Sequence, residues 1–458
     1  MSNKLTGTNG APGTEPGLQR KLGPLMLWGL GVGYVISGMY FGWNLGLPEG
    51  GTLGLAVATL FIILMYGAFT FSYTELACAI PRAGGAFEYA RRAFGKDLGF
   101  LAGMAQAVEF IFAPPAIAMA IGAYFELFLP GGNSLIIALV AYLIFTGLNI
   151  YGVKAAASFE LIITIFAVIE LLIFAGIAST DFEVSNLSVN ALPHGWGGAF
   201  TAIPFAIWFF LAIEGVANVA EETVNPQRNI VIGFGSAIIT LVILCILTFV
   251  TSVGVAGWEA IVFPPGSVEA SDSPLPLALS RVVGNEHMLY HMLIGIGLFG
   301  LVASFHGIIL AAGRAVFEMG RQHYVHPFVG KVSARTGTPV NALVVNMIIG
   351  IVAIFTGRTG EIITIAVFGA LTLYVVSMFA LFRLRRTQPN MPRPFRVPMY
   401  PLMPAVALVI AVIALAAVIW FNLLLAGMYV LLLLLAWAWF KLFHEKSAAA
   451  HNVAPQAD

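Results

Sequence analysis

The sequence predicts an all-α integral membrane protein with twelve membrane-spanning helices. Of its 458 residues, 59% are hydrophobic and only 10% are charged, and the mean hydropathy is +0.91. Soluble domains are usually about 45–50% apolar and about 25% charged, so this composition excludes a soluble globular protein and a disordered chain. The 22 Lys and Arg residues balance 22 Asp and Glu residues. This balance leaves no basic surface for a nucleic acid.

Apolar segments of sufficient length define the twelve predicted spans. A helix that crosses a bilayer needs about 20 mostly apolar residues. No segment shows the alternating pattern of an outer-membrane barrel. The spans are predicted at 24–46, 52–80, 98–129, 134–152, 159–179, 199–220, 229–256, 288–319, 339–356, 361–384, 401–422 and 424–443.

The basic residues predict the orientation of these spans, because cytoplasmic loops are enriched in Lys and Arg. If the N-terminus is placed inside, only Arg281 and Arg358 of the 22 basic residues lie on the outer side. Residues 1–23 lack the short apolar run and cleavage site of a signal peptide, so they are predicted to form a cytosolic tail. Residues 444–458 are predicted to form a second cytosolic tail.

Two spans carry signs of an interrupted helix. The first contains a glycine cluster, GLGVGYVISGMYFGWNLGLP (29–48), and the sixth contains Pro204 and Gly215. Interruptions five spans apart predict inverted five-helix repeats at 24–179 and 199–384, with a binding site near the membrane midplane. The two helices within 401–443 lie outside the repeats. Close helix packing is the alternative explanation of the glycines.

Four glutamates lie within predicted spans, whereas no Lys or Arg lies in the middle third of any span. A buried carboxylate without a cationic partner must take up a proton or bind a cation. Glu109 and Glu214 are therefore predicted either to meet a positively charged substrate or to carry a coupled proton. Glu170 is a further coupling candidate, and Glu75 lies close to the inner end of its span. The alternative for each is a neutral, hydrogen-bonded carboxyl.

Aromatic side chains and one histidine complete the predicted site. Tyr40 lies at the first interruption, and Trp208 and Phe209 lie at the second. A ring face attracts an ammonium group, although aromatic residues are also common in any membrane core. His306, in ASFHGIIL, is predicted to meet a hydroxyl or relay a proton, and a packed core histidine is the alternative.

Motifs of catalysis are missing from the sequence. It has no Gly-x-Ser-x-Gly elbow, no His-Glu-x-x-His pair and no Walker loop. Cys78 and Cys245 are far apart in apolar runs and predict neither a disulfide framework nor a zinc site. We therefore expect a secondary transporter without cofactor or metal. An integral-membrane enzyme or a receptor is the alternative from another class.

Several segments resemble the amino acid–polyamine–organocation superfamily, whose fold is that of the bacterial leucine transporter. They are SGMYFG (37–42), IPRAGGAFEYARRAFG (80–95) and EETVNPQRNI (221–230). A narrower similarity, to bacterial ethanolamine permeases, is carried by VISGMYFGWNLGLPEGG (35–51), FSYTELACAIPRAGGAF (71–87), EFIFAPPAIA (109–118) and ASFHGII (303–309). The resemblance implies ethanolamine import across the bacterial cytoplasmic membrane, with an amino acid or a polyamine as the alternative substrate.

The resemblance also implies which residues form the site, by analogy with the superfamily's pocket between spans one and six. It implies backbone contacts from Ile36, Ser37, Gly38 and Tyr40. In span six it implies pocket contacts from Trp208 and Phe209, with Trp208 as a lid, and proton linkage through Glu214. Many proton-coupled relatives place a lysine in span five, but 160–172 has none, and Ala167 is the matching position. Coupling to protons, coupling to sodium, exchange and uniport therefore all stay open, as does the choice between monomer and homodimer.

Overall fold

A computed structural model describes residues 20–82, 84–128, 131–151 and 153–451. Of the two predicted tails, 1–23 and 444–458, residues 1–19 and 452–458 lie outside these ranges, and the last helix extends to His451. Within the described residues, ten helices are long and apolar enough to cross a membrane. Two of the twelve predicted spans correspond instead to shorter apolar helices, Pro24–Tyr40 and Val340–Ile354. The chain is thus a multi-pass, all-α membrane protein.

The first half of the chain begins with an interrupted helix and continues through long ones. A 3-10 turn, Trp43–Gly46, leads directly into the helix Leu47–Ala79, which bends at Gly51, where φ is +62°, just before the predicted start of the second span at residue 52. In order, the α-helices are α1 (Pro24–Val35), α2 (Ser37–Tyr40), α3 (Leu47–Ala79), α4 (Ala86–Phe94), α5 (Lys96–Glu126), α6 (Ser134–Tyr151) and α7 (Val153–Ala178).

The second half contains the other interrupted helix. Its sixth predicted span consists of two short α-helices followed by a 3-10 helix, Ile213–Glu222. The α-helices are α8 (Gly195–Thr201), α9 (Ile203–Trp208), α10 (Pro226–Ala256), α11 (Trp258–Val262), α12 (Pro274–Val283), α13 (Met288–Arg321), α14 (Val340–Ile354), α15 (Thr359–Thr387), α16 (Leu402–Phe421) and α17 (Leu423–His451). Residues 257–287 join the seventh and eighth predicted spans and form an outer loop in the predicted orientation. This outer loop contains the two short helices α11 and α12.

The centre of the bundle is formed by α1, α5, α13 and α15. Small residues allow close helix contacts there: a Cβ atom on Gly369 of α15 would lie 2.7 Å from the backbone nitrogen of Glu109 on α5. By contrast, α16 and α17 expose large apolar side chains such as Trp420 (74% exposed) and Leu424 (78% exposed). Such faces are suited to contact with lipid.

Ion pairs at the predicted inner end involve acids that the sequence placed within or beside spans. The carboxyl of Glu75 accepts hydrogen bonds from Arg385 (2.6 and 2.8 Å) and from the backbone of Val397 (2.8 Å). Arg393 lies 3.3 Å from the same carboxyl. Glu75 is therefore neutralised by bases that follow α15 or lie at its end. This glutamate is anchored structurally rather than left without a partner.

Candidate functional site

The interruption of the first span is held open by a side chain from another helix. α1 ends at Val35, and the chain resumes as the short helix α2. The Ser304 hydroxyl on α13 donates to the carbonyl of Gly33 (2.6 Å) and accepts from the backbone N–H of Ser37 (2.8 Å). Because buried backbone groups require partners, Ser304 stabilises the break.

The interruption of the sixth span is stabilised in the same way. α9 ends at Trp208, and Ala212 adopts a left-handed conformation with φ of +75° before the 3-10 helix begins. Residues other than glycine adopt this backbone conformation at a cost in free energy. The backbone N–H of Ala212 donates to the Glu109 carboxyl of α5 across 3.2 Å. The sharp turn therefore presents a buried N–H group to a buried acid.

The two interruptions lie against each other. A Cβ atom on Gly38 would lie 2.5 Å from the Trp208 carbonyl oxygen, and a Cβ on Gly42 would contact the Trp208 indole. The rings of Phe41 and Trp208 meet edge to face with centroids 5.4 Å apart, and Phe209 stacks on Trp43 at 5.6 Å. Only glycine at position 38 permits this approach of the two backbones.

Two carboxyl groups lie side by side next to these interruptions. Glu109 and Glu214 are within hydrogen-bonding reach of each other, and their exposed fractions are 0% and 1%. The Tyr374 hydroxyl of α15 donates to Glu214 Oε2 (3.1 Å), and the Tyr66 hydroxyl lies 2.9 Å from that of Tyr374. Glu109 Oε2 and Glu214 Oε1 have no hydrogen-bond partner among the described residues.

This pair of acids is capable of binding positive charge. Two adjacent carboxylates repel each other strongly in a medium of low dielectric constant, so the pair must hold a proton, a cation or both. Arg314, a base within the eighth predicted span, binds Glu222 instead. An acid pair of this kind is chemically suited to hold protons or an ammonium group.

Not every predicted backbone contact is free for a ligand. The carbonyl of Ile36 accepts from the backbone of Met39 (2.9 Å), and the N–H of Ser37 is bound to Ser304. The side chain of Ser37 is 3% exposed. The structure places Ile36, Ser37 and Gly38 at the break, with part of their backbone hydrogen-bonding capacity already used.

Tyr40 points to a different acid. Its hydroxyl donates to Glu170 Oε2 (2.5 Å) and lies 3.1 Å from the carbonyl of Ala167, both on α7. The Tyr124 hydroxyl donates to the Tyr40 carbonyl (3.0 Å). Tyr40, Tyr124 and Glu170 line a narrow cavity beneath α12, which also includes Leu275. Glu170 is therefore linked to the first break through Tyr40, whereas Glu109 is linked to the second.

His306 meets an acid of α7 rather than the Glu109–Glu214 pair. Its Nδ1 atom is 3.0 Å from Glu160 Oε2 on α7, and its ring packs edge to face on Phe159. The structure does not place His306 with the Glu109–Glu214 pair. Sequence reasoning had not singled out Glu160, because it lies next to the predicted start of span five at residue 159.

Three further residues form hydrogen bonds at the candidate site and were not identified from the sequence: Ser304, Tyr66 and Tyr374. Tyr66 and Tyr374 are two of many aromatic residues in apolar segments, and nothing in their local sequence indicates a hydrogen bond to an acid on another helix. Ser304 stands two residues before His306, and its role as a partner of the first break depends on the packing of α13 on α1.

Interrupted helices that meet at buried acids in a bundle of membrane-crossing length define a class of protein, the secondary transporters. The chain belongs to the amino acid permease family, whose match extends over residues 22–437. The members of this family are transporters and not enzymes, which confirms the expectation that the chain has no enzymatic activity.

The relatives of the chain include transporters of several substrates. An uncharacterized transporter of Rhizobium meliloti (strain 1021) is 27% identical over 372 residues, covering 79% of this chain and 78% of the relative. Cationic amino acid transporter 1 of Arabidopsis thaliana is 28% identical over 351 residues, covering 72% of this chain and 57% of the relative. The branched-chain amino acid permease BcaP of Bacillus subtilis (strain 168) is 25% identical over 346 residues, covering 71% and 72%.

Proposed function

We propose that the chain imports a small organic cation and that Glu109 and Glu214 bind its ammonium group. The observation that carries this proposal is that two buried carboxyl groups lie within hydrogen-bonding reach of each other at the interruption of the sixth span. A charged hydrogen bond between an ammonium and a carboxylate is about twice as strong as a neutral one. Buried acids without a base nearby favour a substrate with a net positive charge.

Charge balance indicates how the pair takes up its ligand. In the empty site two protons neutralise Glu109 and Glu214. When a monovalent cation binds, it replaces one of these protons, and the loaded site is again neutral. A divalent cation would replace both. Because a net charge is costly in a buried site, neutral states are the ones that favour movement between the two sides of the membrane.

Trp208 and Phe209 are proposed to cover the substrate, and the backbone around Gly38 is proposed to contact it. The indole Nε1 of Trp208 has no hydrogen-bond partner among the described residues, and its ring packs on Phe41. A ring face contributes roughly 0.5–2 kcal/mol to the binding of a desolvated cation. Tyr40 is proposed to link substrate binding at the first break to Glu170, because its hydroxyl donates a hydrogen bond to that carboxyl.

Transport by alternating access is proposed on the basis of the interrupted helices. In this scheme residues 24–179 and 199–384 are inverted repeats within a twelve-span protein, and the helices at 401–443 lie outside them. The chain is proposed to reside in a bacterial cytoplasmic membrane with both termini in the cytosol. The side on which the basic residues lie supports this orientation.

Two kinds of substrate are candidates for this site, a cationic amino acid and ethanolamine. The names of the relatives support an amino acid, and a cationic one matches the acid pair best. Its carboxylate would need an N–H donor, such as a free backbone group at an interruption. Ethanolamine, the narrower expectation from the sequence, carries the ammonium and a hydroxyl but no carboxylate. The absence of Lys and Arg from the middle third of every predicted span supports ethanolamine.

Uptake into proteoliposomes tests the proposal. Labelled ethanolamine, labelled arginine and labelled leucine are supplied separately, and each is challenged with excess ethanolamine, arginine or leucine. The proposal requires that uptake of at least one of the two cations exceeds that of leucine. Competition by leucine that equals competition by the cations would overturn it. If arginine displaces ethanolamine but not the reverse, the substrate is a cationic amino acid.

A further inference from the structure

A basic cavity opens at the predicted inner end of the bundle. Its volume is about 500 Å³, and its lining includes none of the residues of the proposed substrate site. The lining comes from the segment before α1, the end of α3 and the turn after it, α4, and the 3-10 helix Ile213–Glu222. Its charged residues are three arginines and one acid, Arg20, Arg82, Arg92 and Glu221. We refer to it as the arginine cavity.

The helix α4 contributes a base that no acid neutralises. Two arginines stand next to each other in this helix, so their side chains point in directions about 100° apart. Arg91 is bound to Glu88, one turn earlier, by two hydrogen bonds of 2.7 and 2.9 Å. The side chain of Arg92 has no hydrogen bond or ion pair among the described residues, and it is exposed to the cavity.

The acid in the cavity leaves most of the positive charge available. Glu221 Oε1 lies 3.8 Å from Arg82 and 3.6 Å from Arg321, and both distances exceed that of an ordinary hydrogen bond. The same oxygen has no hydrogen-bond partner among the described residues. The side chain of Arg82 is 64% exposed, so a solute can reach it. Three bases and one acid give the lining a net charge of +2.

This lining matches the chemistry of a phosphate monoester. An arginine presents a planar fork of N–H donors that fits the oxygens of a phosphate group. A phosphate monoester carries a charge of about −1.5 to −2 at neutral pH and has three strong acceptor oxygens. Its charge therefore balances that of the lining, and it offers one oxygen to each arginine.

We propose that the arginine cavity binds a phosphate monoester and that the bound phosphate restrains the inner end of the bundle. The binding is independent of the proposed function, whereas the restraint rests on the proposed alternating access. A soluble compound and a lipid headgroup can both supply this phosphate group, and the experiments below distinguish them.

The position of Arg20 connects the cavity to the end of the sixth predicted span. The backbone N–H groups of Lys21 and Leu22 donate to the Glu222 carbonyl (2.8 and 3.0 Å). The N–H of Val224 donates to the Leu22 carbonyl (2.9 Å). Arg20 directly precedes these hydrogen bonds, so its backbone moves with the end of the sixth span.

The other two arginines belong to a different part of the bundle. Arg82 lies in the turn after α3, and Arg92 lies in α4. A phosphate that binds these two residues and Arg20 joins the second, third and sixth predicted spans at their inner ends. Charge-assisted hydrogen bonds of this kind are about twice as strong as neutral ones. A movement that separates these segments has to break them, so the bound phosphate favours the closed inner end.

Thermal unfolding of the full chain in detergent tests the binding. Inorganic phosphate is the probe, and it is compared with succinate and with chloride at equal ionic strength, since salt screens exposed charges. A ligand that binds the folded protein raises the melting temperature, here by roughly 2–4 °C at saturation. The variant is Arg92→Gln, and the matched control is Arg386→Gln, which removes an exposed base at the end of α15 outside the cavity.

Phosphate is expected to raise the melting temperature of the parent and of Arg386→Gln equally and to leave that of Arg92→Gln unchanged. An equal rise in Arg92→Gln would overturn the proposal. A rise with succinate as large as that with phosphate would also overturn it, because the site would then select charge alone. Arg20→Gln is the second variant if Arg92→Gln does not fold, and the same loss is expected for it.

Uptake into proteoliposomes tests the restraint and identifies the source of the phosphate group. Labelled ethanolamine, arginine and leucine are the probes. Vesicles of phosphatidylcholine are prepared with phosphate or chloride inside, and a further set contains an equal amount of phosphatidic acid with chloride inside. The quantity compared is the ratio of uptake rates with and without the phosphate group, so differences in basal rate between variants cancel.

The phosphate group is expected to slow uptake by about fivefold or more in the parent and in Arg386→Gln, but by less than about twofold in Arg92→Gln. Slowing by internal phosphate identifies a soluble compound, and slowing by phosphatidic acid alone identifies a lipid headgroup. Equal rates under all three conditions would refute the restraint. Failure of all three labelled probes to enter would refute the proposed function alone, because the melting experiment uses no substrate.

Discussion

The carboxyl of Glu109 on α5 accepts a hydrogen bond from the backbone N–H of Ala212, 3.2 Å away, at the interruption of the sixth predicted span. The Glu109 side chain therefore has two structural roles. It satisfies a backbone group that the left-handed turn at Ala212 leaves without a helical partner, and it places an acid next to Glu214. The sixth span and α5 are thereby joined at the proposed substrate site.

Substitution Glu109→Gln tests the proposed counter-charge. The amide keeps an oxygen for the Ala212 N–H but loses the negative charge. Hydrogen bonds to charged groups contribute about 1.5–3 kcal/mol, so the KM for the transported cation is expected to rise by about tenfold or more. Uptake kinetics in proteoliposomes measure this, with Glu286→Gln as the matched control. An unchanged KM and maximal rate would refute the assignment.

Substitution Tyr374→Phe removes the hydroxyl that donates to Glu214 but retains the ring. A single hydrogen bond of this kind contributes about 0.5–1.5 kcal/mol, so a two- to tenfold change in KM is expected, smaller than that of Glu109→Gln. Initial rates across substrate concentration distinguish the two effects. The prediction fails if Tyr374→Phe is as severe as the loss of the acid itself.

Substitution Ser304→Ala leaves the Gly33 carbonyl and the Ser37 N–H without their side-chain partner. Each unsatisfied buried group costs about 1–3 kcal/mol, so the apparent melting temperature in detergent should fall by several degrees. Ser377→Ala is the matched control, because the Ser377 hydroxyl is buried without a partner among the described residues. Equal losses in both variants would contradict the role of Ser304.

Substitution Gly38→Ala places a Cβ atom 2.5 Å from the Trp208 carbonyl oxygen, so the two interruptions must separate. Transport is expected to fall by more than about tenfold, with a lower melting temperature. Gly67→Ala is the control, since nothing lies within 4 Å of a Cβ there. Alanine favours a helix by about 1 kcal/mol over glycine, so this control should be as stable as the parent or more stable. Normal transport by Gly38→Ala would refute the close contact.

The outer loop contains a titrating group. Burial raises the pKa of Asp272 from 3.8 to about 6, while the hydrogen bond from Thr359 (2.9 Å) opposes the rise. Because the carboxyl is easier to ionise in the unfolded chain, its contribution to stability is complete below pH 3.8 and is lost as the pH rises through about 6. Asp272→Asn should therefore weaken the fall in melting temperature over this window. An identical pH profile would contradict the prediction.

The interruptions and the two central acids were predictable because each leaves a mark in its own segment. Glycine clusters and Pro204 weaken a helix locally, and a glutamate in an apolar run is conspicuous wherever it points. The spacing of five spans between the interruptions required only the count of apolar segments. These features depend on composition over a short window.

The partners of those groups could not be predicted, because they come from distant helices. Nothing in the sequence around Ala212 indicates a left-handed residue, and the link from Tyr374 to Glu214 joins residues 160 positions apart. Glu160 was overlooked because it lies at the start of its span, whereas its partner His306 was noticed and assigned to the substrate site. Which acid a histidine meets is decided by the packing of α7 on α13.

The fixed interruption at Ser304 has a kinetic consequence for the carrier. The first span is interrupted by a serine of α13, which occupies the freed peptide groups of Gly33 and Ser37. An incoming solute therefore meets a helix that is already interrupted, and no helical hydrogen bond has to be broken before it binds. Preorganisation of this kind lowers the entropic cost of capture and shortens the time between arrival and closure. The energy of binding then remains for the conformational change that the proposed alternating access requires.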